Sequence, residues 1–233
     1  NRNIFYKIYK KNAYRDINDL ENKKEVDLVI ISTPTHTHLQ VAKEVIEQLK
    51  PKFILCEKPL AYNYSDAQKI VEICENNNIK LFVNFIRRSD PGALEIKKMI
   101  SNKSIQRPIK GVCWYSKGMY NNGSHFINLI EYWLGYFKKS FVISKGRLFN
   151  QIDPEPDFLL EFEKGSVSFF SAWEEFYSFY KIELITKTGT INYNSGGEKI
   201  SFHNIEADKK VNNYKIISND GIQIGSDMNN YQY

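Results

Sequence analysis

A glutamate, a lysine and a proline follow directly after a short apolar run in this sequence. The run, Phe53–Cys56, carries no charge and leads into Glu57, Lys58 and Pro59. A continuous apolar run of this length predicts a strand that is buried on both faces of a parallel sheet. Parallel sheets bind ligands at the carboxyl ends of their strands, so these residues stand where chemistry takes place. Because burying an unpartnered ammonium is costly, Lys58 is predicted to direct its charge at a substrate oxygen. The alternative is a solvated lysine at a strand exit.

Polar residues also follow the two neighbouring apolar runs, at 27–32 and 80–85. The ends of parallel strands lie side by side, so we expect one crevice lined by all three segments. Threonine hydroxyls and the amides of a helix start suit a phosphate or ribose hydroxyls. A His-x-His pair at 36 and 38 suggests a metal instead, but no further ligands stand at a suitable spacing, so no metal is expected. The strand-end set is Ser32, Thr33, Pro34, Thr35, His38, Glu57, Lys58, Asn84 and Arg87.

A second concentration of polar residues lies in segment 118–128, Gly-Met-Tyr-Asn-Asn-Gly-Ser-His-Phe-Ile-Asn. Asn121 to Ser124 are predicted to cap a helix, which places His125 in its first turn. The helix dipole there lowers the pKa of an imidazole and favours the neutral form. A neutral histidine can accept a proton at neutral pH, so His125 is a candidate general base. The alternative is a capping-loop histidine with a satisfied hydrogen bond.

The elements that position these residues alternate between strand and helix up to residue 85. The first helix has Thr35 or Thr37 as its N-cap. The second is predicted to begin at Ser65, with Gln68 completing a capping box. The order strand, helix, strand, helix, strand implies right-handed crossovers and a parallel sheet, so residues 1–88 are predicted to form an α/β domain.

After Arg107 and Pro108 the pattern changes to period-two alternation. Helices are expected from Asp90 to Met99 and from Ser124 to Leu134, and β-rich segments separated by glycine turns follow. Residues 89–233 are therefore predicted to form an α+β domain with a large, mainly antiparallel sheet. An uncovered sheet face would need a partner, so a homodimer or homotetramer through this sheet is expected. The residues predicted for that face are Phe169, Trp173, Ile182 and Leu184.

Composition excludes several classes of partner. The net charge of the 233 residues is +5, but lysine and arginine are interleaved with acidic residues, so we expect no nucleic-acid binding. No apolar stretch approaches the roughly 20 residues of a membrane span, and no membrane partner is expected. The three cysteines are scattered and odd in number, which indicates reduced core thiols in a cytoplasmic protein.

In their order along the chain, these motifs resemble the Gfo/Idh/MocA family of NAD(P)-dependent oxidoreductases. The resemblance rests on segment 27–35 with His38, on Glu57-Lys58-Pro59-Leu60, and on Gly-Ser-His at 123–125 with Trp-Leu-Gly at 133–135. Segments 117–125 and 227–233 are most similar to the branch that acts on sugars or nucleotide sugars in surface-polysaccharide pathways.

The resemblance implies a Rossmann-type first domain and a hydride transfer between a sugar carbon and NAD or NADP. Lys58 matches the lysine that hydrogen-bonds the reacting oxygen and orients the nicotinamide, and His125 matches the acid/base. The strand-end set then becomes the cofactor-binding set. By position, the predicted substrate contacts are Lys58, Arg87, Trp114, Tyr120, Asn121, Asn122 and His125.

The chain departs from the family pattern in two respects. No Gly-x-Gly-x-x-Gly turn is present, and Gly92 is the first glycine in the sequence. We therefore expect the chain to lack a first βαβ portion and a C-terminal helical return, and to bind dinucleotide poorly by itself. In addition, Asn121 and Asn128 stand where the family often has aspartate, so Asn121 loses a proton-accepting role.

Two rival hypotheses remain from the sequence. One is a catalytically silent family member that binds a sugar or a partner, which the missing glycines and Asn121 favour. The other is a zinc or other metal hydrolase built on His36 and His38.

Overall fold

The computed structural model describes residues 7–20, 22–23 and 26–225. Segment 227–233, part of the resemblance to sugar enzymes, lies outside the described residues. The chain divides into two compact units, Asn1–Asn84 and Phe85–Tyr233, here called the N-terminal and the C-terminal unit. The domain limits predicted from the sequence, 1–88 and 89–233, stay a prediction.

The N-terminal unit contains a three-stranded parallel sheet in the order β1-β2-β3. Its strands are β1 (Leu28–Ile31), β2 (Phe53–Cys56) and β3 (Lys80–Val83), and the helices α1 (His38–Leu49) and α2 (Tyr64–Asn76) connect them. Apolar residues of both helices pack against the sheet in one core that includes Ile31, Ala42, Ile54 and Ile70. The predicted parallel sheet is confirmed.

Two local predictions for this unit are wrong. The strands are not buried on both faces, because Leu28, Ile30 and Phe82 are each at least half exposed on the face away from the core. Helix α2 is capped by Asn63, whose side chain accepts a hydrogen bond from the backbone N–H of Asp66 at 2.8 Å. The capping box predicted at Ser65 therefore does not form, since the helix has already begun at Tyr64.

The C-terminal unit is built on a nine-stranded sheet in the order β11-β10-β9-β8-β4-β7-β6-β5, with β12 beside β10. Strands β4 and β7 are parallel neighbours, and the other pairings are antiparallel. This arrangement confirms the predicted α/β class with a second, mainly antiparallel sheet. The strands are β4 (Ile109–Tyr115), β5 (Phe137–Phe149), β6 (Asp153–Phe162), β7 (Gly165–Ser171), β8 (Lys181–Thr186), β9 (Gly189–Asn194), β10 (Lys199–Ala207), β11 (Lys215–Ile217) and β12 (Ile222–Ile224).

Two helices, α3 (Pro91–Ser101) and α4 (Ser124–Leu134), pack with the strands to form the core of this unit. Asp90 caps α3 by accepting from the N–H groups of Gly92 and Ala93, and α4 has the bounds predicted from the sequence. Trp133 of α4 is fully buried, and its Nε1–H donates to the carbonyl of Ala93 at 3.0 Å. This bond ties the two helices together.

The other face of the sheet carries exposed apolar side chains, but they are not all those predicted. Phe169, Ile182 and Leu184 are fully buried on the core side, because alternate residues of a strand point to opposite faces. Trp114 and Ile185 are exposed instead, at 39% and 60%. Within the described ranges, no helix is long and apolar enough to span a bilayer.

Candidate active site

The carboxyl ends of the three parallel strands lie at one edge of the N-terminal sheet. Ile31, Cys56 and Val83 are in register, so the residues that follow them are neighbours. The N–H of Glu57 donates to Ile31 at 2.8 Å, which extends the ladder by one residue. The Asn84 amide donates to Oε1 of Glu57 at 2.7 Å. The structure thus brings two predicted site residues, Glu57 and Asn84, into direct contact.

The residues around this pair leave the edge open to a ligand. Ser32, Thr33 and Pro34 are exposed, and Thr35 is half-buried. Lys58 is half-buried, and its peptide bond to Pro59 is cis. Hydroxyl, carboxylate, amide and ammonium groups therefore occur together at one sheet edge, the donor and acceptor set that a ribose or a reacting oxygen needs.

His38 is buried beneath the loops that follow β1 and β2. Its side chain is 1% exposed, with Nε2 2.9 Å from the carbonyl oxygen of Thr33 and Nδ1 3.1 Å from that of Leu60. Carbonyl oxygens only accept, so both contacts are hydrogen bonds only when both ring nitrogens carry a proton. The ring lies beneath the loops after β1 and β2 and ties them together. The predicted cofactor contact by His38 stays a prediction.

The same geometry bears on the metal hypothesis. His36 is exposed, whereas both nitrogens of His38 face backbone oxygens. In the part of the chain that the structure describes, no three histidine, cysteine, aspartate or glutamate side chains group together as metal ligands.

In the C-terminal unit, His125 is preceded by helical backbone rather than by a cap. Residues Gly118–Gly123 form a π-helical segment, here called the π-turn, and Gly123 has helical φ and ψ of −55° and −37°. Helix α4 continues it directly. His125 is therefore not in the first turn of a free helix end, and the predicted effect of a helix N-terminus on its ring loses its basis. The His125 ring is 3% exposed and makes an edge contact with Phe85 at 6.0 Å between centroids.

Two acidic residues of β6 bind the amides at the start of the π-turn. Asp153 accepts from the backbone N–H of Tyr120 at 2.8 Å and of Asn121 at 2.9 Å. Glu155 accepts from the N–H of Gly118 at 3.1 Å. Burial raises the pKa of Asp153 above its ordinary value of 3.8. The sequence interpretation missed both acids, although their spacing of two on a strand places them on one face.

The predicted substrate residues of the π-turn have distinct roles in it. The Asn122 amide donates to the hydroxyl of Tyr180 at 2.7 Å and to the carbonyl of Ser116 at 3.2 Å. Asn121 is exposed, and Tyr120 is half-buried. Asn122 therefore holds the turn, while Tyr120 and Asn121 retain accessible side chains.

Arg87 and Trp114, also predicted as ligand contacts, are used by the fold. Arg87 is 7% exposed, its guanidinium lies 5.2 Å from the centre of the Phe126 ring, and it donates to the carbonyl of Gly196. Trp114 lies on the sheet face opposite Tyr115 and packs 5.5 Å from Phe170. Both side chains therefore have contacts within the fold, and their predicted ligand contacts stay predictions.

Comparisons with known proteins bear on both units. Residues 4–85 match the model of the family described as "Oxidoreductase family, NAD-binding Rossmann fold". Inositol 2-dehydrogenase from Salmonella typhimurium is 34% identical over 97 residues, which are 41% of this chain and 28% of that enzyme. The chain thus spans less than a third of the length of this curated relative.

Solved structures extend the similarity of fold over nearly the whole chain. An NAD binding oxidoreductase from Klebsiella pneumoniae is 20% identical with a TM-score of 0.74, over 91% of this chain and 65% of that one. The WlbA dehydrogenase from Bordetella pertussis, in complex with NADH and UDP-GlcNAcA, is 15% identical with a TM-score of 0.70, over 89% and 67%. The family match over residues 4–85 agrees with the resemblance drawn from the sequence motifs, and the solved structures extend the similarity of fold to the rest of the chain.

Proposed function

We propose that the protein carrying this chain belongs to the Gfo/Idh/MocA oxidoreductase family, whose model residues 4–85 match, and that it is an NAD(P)-dependent sugar dehydrogenase or reductase. The observation that carries the proposal is Lys58 at the carboxyl end of β2, beside the Glu57–Asn84 pair, in a family-matched parallel sheet. The chain is similar in sequence to an inositol 2-dehydrogenase and in fold to a dehydrogenase solved with UDP-GlcNAcA, which supports a sugar or a nucleotide sugar as the proposed substrate.

The residues at the sheet edge suit the ribose and nicotinamide half of the cofactor. Ser32, Thr33 and Thr35 offer hydroxyls, and Glu57 offers a carboxylate whose orientation Asn84 fixes. No glycine precedes Gly92, so the pyrophosphate turn is not among these 233 residues. When bound, the nicotinamide supplies the site that accepts or returns a hydride.

Lys58 is the residue we assign to the reacting oxygen. Its ammonium donates a hydrogen bond to the hydroxyl or carbonyl of the sugar and stabilises the negative charge that develops there as the C–H bond breaks. It is half-buried, and partial exclusion of water strengthens this interaction.

His125 is the residue we assign to the proton. In the oxidative direction its neutral imidazole takes the proton of the sugar hydroxyl, and in the reductive direction it returns that proton to the oxygen. Its ring is almost fully buried, and the edge contact with Phe85 restricts its orientation. Tyr120 and Asn121, whose side chains are accessible, are proposed substrate contacts.

We further propose that copies of this protein associate through the exposed face of the C-terminal sheet. Trp114 and Phe170 pack on each other there, and Ile185 is 60% exposed, which is costly for an isolated chain. The three cysteines are free and buried, which suits a reducing, cytoplasmic location.

A silent, sugar-binding family member is the second candidate, and Asn121 favours it. The exposed amide of Asn121 stands where a carboxylate often stands in the family, and an amide does not act as a proton acceptor in catalysis. The two candidates differ in whether the protein uses a nicotinamide cofactor.

Titration with NADH and NADPH separates them. We expect saturable binding of at least one cofactor to the natural protein that carries these residues. Binding is detected as quenching of tryptophan fluorescence or as a thermal shift. Glu57→Gln should weaken binding, whereas Glu47→Gln, on the outer surface of α1, should not. Absence of binding for both cofactors would overturn the dehydrogenase proposal in favour of the silent candidate.

A further inference from the structure

We propose that Asp153 is a positioning residue that sets the π-turn and, through it, His125. The inference rests on the proposed function, because His125 has its acid/base role only there. Asp153 lies at the start of β6, about thirty residues after the π-turn in sequence, and it belongs to none of the motifs that carry the family resemblance.

The contacts of Asp153 are directed at backbone rather than at side chains. Its two carboxylate oxygens bind the N–H groups of two successive residues, Tyr120 at 2.8 Å and Asn121 at 2.9 Å. Two short bonds from one planar group fix both the position and the orientation of that peptide segment. Asp153 is 6% exposed as a residue, so little water competes for these amides.

Gly118 is the residue that makes this approach possible. It has a φ of +90°, and a Cβ at this position would overlap the carboxylate of Asp153. Only glycine allows both the backbone conformation and the close approach of the acid.

A second acid secures the same turn from a neighbouring position. Glu155 is fully buried, and it accepts from the N–H of Gly118 at 3.1 Å and from Nε of Arg147 at 2.8 Å. Arg147 in turn donates to Glu175 at 2.9 Å. The start of the π-turn is thus held by two buried carboxylates, one of which is neutralised by an arginine.

Burial of the Asp153 carboxylate is only partly offset by its bonds to the two amides. Its pKa is raised because burial disfavours the ionised carboxylate more than the amide bonds favour it. The ionised form therefore costs the folded state free energy relative to the neutral acid. The ionised carboxylate is thus kept in a costly buried position, where it fixes two successive amides of the π-turn.

The position of the turn reaches His125 through continuous helical backbone. Ser124, the residue before His125, donates its hydroxyl to the carbonyl of Tyr120 at 2.7 Å. Displacement of Tyr120 therefore moves the residue that precedes the imidazole.

The test compares Asp153→Asn with Asp157→Asn. Both remove one negative charge from β6 at nearly constant volume, but the carboxylate of Asp157 accepts from the backbone N–H of Ser171 in β7 rather than from Tyr120 and Asn121. In Asp153→Asn, the side-chain oxygen can still accept from one of the two backbone N–H groups. The side-chain NH2 then faces the other N–H group and cannot accept from it. Misplacement by about 1 Å can lower turnover on the order of a hundredfold, so we expect a ~10–100-fold loss for Asp153→Asn. Asp157→Asn should retain wild-type turnover, and both variants should keep the wild-type affinity for the cofactor.

Hydrogen exchange supplies a readout that does not need activity. The amides of Tyr120 and Asn121 should exchange faster in Asp153→Asn and at the wild-type rate in Asp157→Asn. Unchanged exchange of these two amides, or equal loss of turnover in the two variants, would overturn the positioning role. Wild-type protein without turnover on any sugar would instead refute the proposed function, while the exchange rates still decide the role of Asp153.

Discussion

Substituting Gly118 by alanine should destabilise the C-terminal unit by an amount that depends on Asp153. At a φ of +90° a side chain adds about 1–2 kcal/mol of backbone strain. The new Cβ also displaces the carboxylate, which loses at least one of its bonds to Tyr120 and Asn121. A hydrogen bond to a charged group contributes about 1.5–3 kcal/mol, so the total cost should be about 2.5–5 kcal/mol.

A double-mutant cycle separates the two parts of this cost. In an Asp153→Ala background no carboxylate remains to be displaced, so Gly118→Ala should cost only the strain, about 1–2 kcal/mol. The difference between the two backgrounds is the coupling of Gly118 to Asp153.

Urea unfolding followed by tryptophan fluorescence measures both values. The three tryptophans, Trp114, Trp133 and Trp173, all belong to the C-terminal unit, so the signal reports on that unit alone. The free energy of unfolding follows from linear extrapolation to zero urea. An equal cost of Gly118→Ala in the two backgrounds would refute the reasoning.

Three further predictions concern buried polar groups. Trp133→Phe removes the donor to the Ala93 carbonyl and should lower the free energy of unfolding by about 1–3 kcal/mol in the same assay; a loss under ~0.5 kcal/mol would contradict it. Burial raises the pKa of Tyr193 from 10.0 to about 12. Between pH 10 and pH 12 the folded state therefore binds more protons than the unfolded state, so the free energy of unfolding should fall as the pH rises through this range. The fall should be less steep in Tyr193→Phe, which lacks the hydroxyl. His38→Phe keeps an aromatic ring but removes the two ring nitrogens that face the carbonyls of Thr33 and Leu60. It should speed amide exchange in β1 to β3 and leave the tryptophan unfolding curve unchanged.

The elements that were predictable from the sequence are those whose signals are local. Phe53–Cys56 is a strand because an apolar run is short and bounded by polar residues, and α4 ends at Leu134 because Gly135 follows it. The second helix cap was missed for a local reason as well. Asn63 and Ser65 are both good capping residues, and the pattern alone does not rank them.

The site was less predictable, because its geometry depends on pairs that are distant in sequence. The motif containing Lys58 identified the sheet edge, but the burial of His38 depends on Thr33 and Leu60 together. The π-turn depends on acids in β6, about thirty residues further along the chain, and nothing within Gly118–Gly123 indicates them.

The proposed function requires Lys58 and His125 for the oxidation or reduction of a sugar. The most direct test measures the change in nicotinamide absorbance with myo-inositol, free sugars and nucleotide sugars, for wild type, Lys58→Ala and His125→Asn. We expect turnover by the wild type with at least one substrate. Each variant should fold normally and lose turnover by ~10²–10⁴-fold. Turnover that is unchanged in Lys58→Ala would contradict it.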